Sequence, residues 1–391
     1  MTPNTAGPAP PGRRMFQTIA HCPLGLEPVC ADEIESLGLQ VEEVLHDEGI
    51  VGFTASLTEL FEANLRLRCV ERLSITLGEF EVRRFDRLEE ITAEIPWDRW
   101  LDNRRRLLLR VTSRGSKLYH ERAIAERMHR AIEKQLKHPI DLARGDELDS
   151  PGRDVQLVIV RLERNHCVVR LDSSGARLHR RGYREQTGSA PLRETLAAAI
   201  IRACGWEEQQ TLIDPFCGSG TFMIEAAERS MGLAAGRRRP FAMERWPFVD
   251  AAELGALRQA AIAVDPTPAP LLLGSDRADG AIRAATGNAA RAGVSDAIRF
   301  ERMRASSIQR PDANGGWIIT NPPWGVRLAE GDLRPLYASF GRTLREEFSG
   351  FDLGLLCPDP GLLRSFGLDF EEGPWLNNGG QHVQLVYSHL D

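Results

Sequence analysis

An apolar run, Gln210-Thr211-Leu212-Ile213-Asp214, breaks at Pro215 and passes through Phe216-Cys217-Gly218-Ser219-Gly220 into a helix-forming stretch from Thr221 to Ala227. A strand that turns on paired glycines directly into a helix belongs in a parallel sheet, because the helix carries the chain back to begin the next strand. The same alternation runs from Pro191 onward: an Ala-rich helix to Ala203 closed by Gly205, the run ending at Asp214, a second run Leu271-Leu272-Leu273-Gly274-Ser275-Asp276, and a helix through Ala281 to Ala292. The expected fold class is therefore α/β, a doubly wound sheet, for residues 191–391.

The glycine turn also limits what this sheet can bind. Gly218 and Gly220 let the backbone pass close under a ligand, and the helix opening at Thr221 aims free amides at the crevice. A dinucleotide fingerprint would need a third glycine three residues after Gly220, and Met223 stands there, which disfavours NAD. Asp276, one strand on, suits acceptance of hydrogen bonds from ribose hydroxyls; the plainer alternative is that it caps the following helix. Asp214, Phe216, Cys217, Gly218, Ser219, Gly220, Thr221 and Asp276 are the candidate cofactor-binding residues.

A third apolar run, Gly316-Trp317-Ile318-Ile319-Thr320, ends in Asn321-Pro322-Pro323-Trp324. Two prolines fix the backbone past a strand end and leave carbonyls outside any ladder. An exocyclic amine on a nucleobase is a poor nucleophile, its lone pair being delocalised into the ring. If the Asn321 side-chain oxygen and the Pro322 carbonyl each accept one N–H, they orient that nitrogen, while Trp324 would hold the ring by stacking. Asn321, Pro322, Pro323 and Trp324 are the candidate catalytic residues; guanine and adenine amines fit this chemistry alike, and no metal is required. Cys217 could suggest a thiol adduct with a pyrimidine, but the loop expected to meet the base holds Asn321 and two prolines, so a small residue allowing close approach is the better reading.

The first half reads differently. Apolar runs around Phe16–Ala20 and Val51–Phe53, with a helix from Glu27 to Leu37 between them, form a small α+β unit. A strand at Arg106–Thr112 precedes a helix striped by Ile124, Met128, Ile132 and Leu136, and Val155–Val160 with Cys167–Leu171 suits a hairpin about Glu163-Arg164-Asn165. Leu101 to Glu185 carries 20 Lys and Arg against 12 Asp and Glu, in a chain whose net charge is -6, so one basic nucleic-acid face is expected there. Lys117, Arg180, Arg181 and Arg184 are its candidate RNA contacts, the last three around Tyr183 in a linker spanning 173–190. The Pro-rich opening, residues 1–14, reads as a disordered tail. The chain reads as cytoplasmic: no run is long and apolar enough for a membrane span, and the seven cysteines show no metal-ligand or disulfide pattern.

Asp-Pro-Phe-Cys-Gly-Ser-Gly at 214–220 paired with Asn-Pro-Pro-Trp at 321–324 resembles the motif pairing of class I amino methyltransferases. With Ala190-Pro191-Leu192-Arg193-Glu194-Thr195-Leu196 and the residues to Leu328, the resemblance narrows to THUMP-bearing RNA guanine-N2 methyltransferases of 23S rRNA or tRNA. His21-Cys22-Pro23-Leu24-Gly25-Leu26-Glu27 is similar to the ferredoxin-like unit that precedes THUMP, and Ser113 to Arg127 with the hairpin is similar to THUMP itself. The resemblance implies a ferredoxin-like and THUMP region over 15–172 with the THUMP core at about 45–160. It also implies S-adenosylmethionine as cofactor, rRNA or tRNA as partner, and compatibility with a monomer. Asp214, Gly218 and Gly220 would line the methionine end of the cofactor and Asp276 its ribose. Two departures stand out: Trp324 replaces the usual Tyr or Phe, and Phe300 to Ser306 offers no Asp for an adenine amine, leaving Met303 to pack there.

Overall fold

The computed structural model of the protein describes residues 14–102, 104–149, 154–185, 192–262, 268–324 and 332–391. The tail expected over 1–14 lies outside them up to residue 13, as do linker residues 186–190, Pro191 and the 325–328 end of the third motif.

The first half runs β1 (Phe16–His21), α1 (Glu27–Ser36), β2 (Val41–Leu45), β3 (Ile50–Ala55), α2 (Leu57–Arg66), β4 (Arg72–Glu81), α3 (Phe85–Glu94), β5 (Arg106–Arg114), α4 (Glu121–Leu136), β6 (Val155–Glu163) and β7 (His166–Asp172). Local chemistry sets several of these bounds. Pro28 occupies the first turn of α1, and Ser56 with Glu59 forms a reciprocal capping box that starts α2. The expected hairpin is present: Arg164 and Asn165 both take positive φ, 49° and 71°, the geometry whose twist matches flanking antiparallel strands.

One arrangement was not visible in the sequence. The opening α+β unit and the later strands share one seven-stranded sheet, in the order β2-β3-β1-β4-β7-β6-β5. β4 is the seam, pairing with β1 on one side and β7 on the other, through partners such as Ser74 with Asp172 and Glu81 with His166. Among the described strands of this sheet only β5 and β6 pair in parallel, as the helix α4 between them requires.

The second half runs α5 (Glu194–Ala203), β8 (Thr211–Asp214), α6 (Thr221–Ser230), α7 (Ala251–Ile262), β9 (Leu272–Asp276), α8 (Asp279–Ala292), β10 (Ile298–Arg302), β11 (Gly316–Thr320), α9 (Arg334–Glu347), β12 (Phe351–Cys357), α10 (Pro360–Phe366), β13 (Glu371–Asn378) and β14 (Gln381–His389). Its sheet has the order β10-β9-β8-β11-β12-β14-β13, parallel from β10 to β12 and antiparallel at β14 and β13. The doubly wound fold is as expected. The strand order reverses between β8 and β11, so the carboxyl ends of β8, β9 and β11 open one crevice, the place where such sheets bind ligands.

The two halves are welded by apolar and ionic contacts. Trp100 of the first half meets Trp246 and Phe248 of the second edge to face, with centroids 5.2 and 5.3 Å apart. Beside this lies a buried charge network in which Glu225 of α6 faces Arg68 at 3.4 Å and Arg181 at 3.4 Å, and accepts from the Tyr183 hydroxyl at 3.3 Å. Arg181 also donates to the carbonyls of Leu178 and Arg68, at 2.8 and 2.5 Å, and is only 1% exposed.

This corrects the expected role of the linker. Arg181 spends its donors on Glu225 and backbone carbonyls, and Tyr183 is fully buried, so neither can grip a phosphate or stack a base. Arg180 remains exposed, as does Lys117, whose backbone N–H binds the Asn165 side chain at the hairpin tip. Among the described residues no helix is long and apolar enough to cross a membrane.

Candidate active site

Asp214 ends β8 in a buried position with its Oδ1 doubly engaged. Thr320 Oγ1, at the end of β11, donates to it at 2.6 Å, and the Phe216 amide donates at 3.1 Å. Burial, with a smaller contribution from the charge of Asp276, lifts its pKa to about 7, while these two hydrogen bonds pull the other way.

The turn after Asp214 needs its glycines. Gly218 and Gly220 have φ of 51° and 82°, and a Cβ on Gly220 would stand 2.9 Å from the Phe300 ring and 3.0 Å from the Ala285 Cβ. Three outside groups hold the turn in place. Asp276 accepts from the Gly218 amide at 3.2 Å, and Asn288 of α8 donates to the Ser219 carbonyl at 3.1 Å. Arg184 donates to the Thr221 and Ser219 hydroxyls at 2.8 and 3.4 Å while binding Glu194 at 2.8 Å. Arg184 therefore braces the turn, a role the linker's composition did not suggest.

Asp276 has more than one duty. Its second oxygen accepts from the Ala278 amide at 2.8 Å, just before α8, which carries no side-chain cap, so Asp276 shapes the approach to the helix without capping it. Cys217 is buried, and burial followed by the nearby charges of Asp214 and Asp276 pushes its thiol well above the ordinary range. A thiolate nucleophile is disfavoured at that position.

The crevice is a cleft of 920 Å³ lined by Phe216 and Asp276 on one side, Asn321 and Pro323 on another, and Met303 and Leu336 between. The first and third motifs, more than 100 residues apart in sequence, thus share one wall-to-wall space. Met303 borders the cleft after β10, where no Asp was found, and its amide binds the Asp276 carbonyl at 3.0 Å.

The Asn-Pro-Pro-Trp turn is built differently from the expectation in one respect. The Trp324 indole N–H donates to Asn321 Oδ1 at 2.8 Å, and the ring is 5% exposed. In this structure Trp324 holds the Asn321 amide and does not present its face for stacking. An amide oxygen has two lone pairs, so Oδ1 can still accept a second hydrogen bond from the cleft. A phenol, missing from position 324, comes from α9: the Tyr337 hydroxyl donates to the Pro323 carbonyl at 3.2 Å. Sequence reasoning missed Thr320, Tyr337, Asn288 and the bracing role of Arg184. Thr320 could have been noticed as the last residue before Asn321, but nothing local marks the other three. No group of His, Cys, Asp and Glu suited to a metal ion occurs among the described residues.

Comparison with known proteins supports this geometry. Residues 181–357 match the RMKL-like methyltransferase domain family, and residues 17–74 match the RlmL ferredoxin-like domain. A Synechocystis protein named "Putative RNA methyltransferase slr0064" is 32% identical over 99% of this chain and all of its own length. The Ribosomal RNA large subunit methyltransferase K/L of Syntrophotalea carbinolica is 35% identical over 94% of this chain, which spans only 52% of that protein. The crystal structure of SMU.472 complexed with SAH superposes with a TM-score of 0.83, at 29% identity, over 97% of this chain and 99% of that one. The full-length match, the ferredoxin-like start and the doubly wound second half agree, and the chain belongs to the RMKL-like methyltransferase family.

Proposed function

We propose that the protein transfers a methyl group from S-adenosylmethionine to the exocyclic N2 amine of a guanosine in structured RNA, with 23S rRNA as the substrate and tRNA as the second choice. The observation that carries this reading is the single cleft bounded by Phe216 and Asp276 on one side and Asn321 on the other. The relatives named as ribosomal RNA and RNA methyltransferases support the RNA substrate, and the basic stretch before Glu185 supports it independently.

The residues fit the cofactor. Asp276 keeps acceptor capacity beyond its two backbone donors, the Gly218 turn brings main chain close to the cleft, and Met303 offers an apolar wall for a purine. When bound, S-adenosylmethionine supplies a methyl group on a cationic sulfur. Asn321 Oδ1, its amide held by Trp324, accepts an N–H of the base amine and turns the nitrogen lone pair toward that carbon. Attack by that nitrogen would take the methyl with the C–S electron pair left on sulfur, and the resulting cationic nitrogen would lose its proton to water. Tyr337 keeps the Pro323 carbonyl, and with it the turn, in position.

Nucleoside mass spectrometry on rRNA and tRNA from a strain lacking the gene tests this directly. One N2-methylguanosine should vanish from 23S rRNA. Loss of an N6-methyladenosine instead would move the target to adenine, and unchanged nucleosides in every RNA would refute the reading.

A pH effect follows from Asp214. With its pKa raised to about 7, Asp214 in the free protein is partly protonated near neutral pH. The ammonium of a bound methionine end favours the carboxylate, so cofactor binding near pH 7 should release protons, and less so above pH 8. Calorimetry in two buffers of different ionisation heat should give different apparent enthalpies at pH 7; identical values would show that Asp214 does not sense the cofactor. The same shift acts on stability with the opposite sign to a salt-bridged Asp. The unfolded chain loses this proton near 3.8 and the folded one near 7, so the Asp214 contribution falls as pH rises across that interval.

A further inference from the structure

A second cavity, of 740 Å³, lies where the two halves and the linker meet. Arg105 directly precedes β5 and Val155 opens β6, Arg180 and Arg184 come from the linker, and Arg239 from the segment between α6 and α7. Among the described residues seven arginines line it with three carboxylates, Asp149, Asp154 and Glu194, while Arg181 and Arg193 pair with Glu225 and Glu71 outside the lining.

Its positive charge is not fully answered from within. Arg239 is 8% exposed, donates to the backbone carbonyls of Ser174, Ala176 and Arg177, lies 5.5 Å from the centroid of the Phe241 ring, and forms no ion pair with a carboxylate among the described residues. Burial, then the charges of Arg181 and Arg72, brings its pKa down to about 9. His179 also lines the cavity, and its buried Nδ1 has no hydrogen-bond partner. Burial and the charges of Arg193 and Arg177 keep its ring neutral, with a pKa of about 3. Arg180 and Arg245 stand half-exposed: Arg180 is 4.0 Å from Asp149, and Arg245 shares Asp154 with Arg105. A buried cation without a counter-ion is unfavourable, and an entering anion relieves that cost.

We propose that this cavity receives a backbone phosphate of the substrate RNA, with Arg180 and Arg245 at its entrance. The inference rests on the RNA substrate proposed above and gives it a place on the molecule. Arginine suits a phosphate because its planar donors pair with the oxygens. The position carries a further consequence. Arg184 lines the cavity and also holds the Ser219 and Thr221 hydroxyls of the glycine turn, so a phosphate docked here is one side chain away from the cofactor turn. RNA docking and cofactor placement would share that residue.

The test reverses two entrance charges. Arg180→Glu with Arg245→Glu is compared with the wild type for binding of deproteinised 23S rRNA across a salt series, alongside calorimetry with S-adenosylmethionine. A control pair of equal charge change, Arg283→Glu with Arg299→Glu, lies outside the cavity. The cavity pair should bind RNA at least about tenfold more weakly, with a log–log salt slope flatter by roughly 1 to 2. The control pair should lose much less, and cofactor affinity should hold in both. Equal losses in the two pairs, or wild-type affinity in the cavity pair, would overturn the proposal. Should inorganic phosphate alone stabilise the wild type and not the cavity pair while both bind RNA equally, the cavity is a free-anion site and the RNA assignment is wrong. A wild type that binds neither rRNA nor tRNA sinks the proposed function and the cavity with it; a wild type that binds while the cavity pair matches it sinks the cavity alone.

Discussion

Asn321→Ala should lower methyl transfer by about a hundredfold or more while leaving S-adenosylmethionine affinity within about twofold of the wild type. The separation is expected because Asn321 follows β11 and lines the same cleft as Phe216 and Asp276, and its amide, held by Trp324, bonds to no residue of the cofactor turn among the described residues. Single-turnover transfer from labelled cofactor gives the rate, and calorimetry gives the affinity. A variant that transfers at the wild-type rate would remove Asn321 from the chemistry. Trp324→Phe is a finer probe of the same point. It keeps most of the ring and deletes the N–H that binds Asn321 Oδ1 at 2.8 Å, so the amide loses its orientation but not its presence. A drop of roughly tenfold in turnover with unchanged cofactor binding is expected, on the scale of one lost hydrogen bond. If Trp324 worked by stacking, the phenyl ring would serve nearly as well and turnover would hardly change.

The difference between those two roles of Trp324 shows where sequence reading stops. Motifs that are contiguous in the chain were legible: the Asp214 to Thr221 turn after a strand, Asp276 at the next strand end, and Asn321 to Trp324 after a third. Their spacing and flanks fixed a doubly wound sheet, and the sheet placed them in one crevice. What was not legible depends on contacts between distant residues. Tyr337 reaches Pro323 from α9, Thr320 reaches Asp214 from the neighbouring strand, and Asn288 reaches Ser219 from α8. The linker misled for a related reason. His179-Arg180-Arg181-Gly182-Tyr183-Arg184 has the composition of a surface that grips nucleic acid, yet arginine and tyrosine are equally suited to a buried interface that offers carboxylates and carbonyls. Only the position of Glu225 on α6 decides which use Arg181 and Tyr183 serve, and that is a tertiary fact. The continuous first sheet was hidden similarly, since no local signal says that β4 pairs on both edges.

Glu225→Ala should destabilise the protein by about 3–5 kcal/mol, the largest stability effect expected of a single polar substitution here. Glu225 is fully buried and is the carboxylate shared by Arg181, Arg68 and the Tyr183 hydroxyl. Its removal leaves Arg181 in the interior with carbonyl partners only, while Arg68 can still lean on Glu228 at 3.6 Å. The loss should fall on the junction of the halves, because these residues come from the segment between α2 and β4, the linker and α6. Urea denaturation followed by tryptophan fluorescence reports on that junction, since Trp100 and Trp246 touch across it. Pairing the substitution with Arg181→Met distinguishes an unpaired charge from lost packing. If the buried cation is the cost, Glu225→Met with Arg181→Met should be less destabilised than Glu225→Met alone, since two apolar side chains then replace an ion pair of similar volume. Losses that simply add would mean that the network matters for its volume and not for its charges, and a Glu225→Ala midpoint equal to the wild type would show that this carboxylate does not hold the halves together.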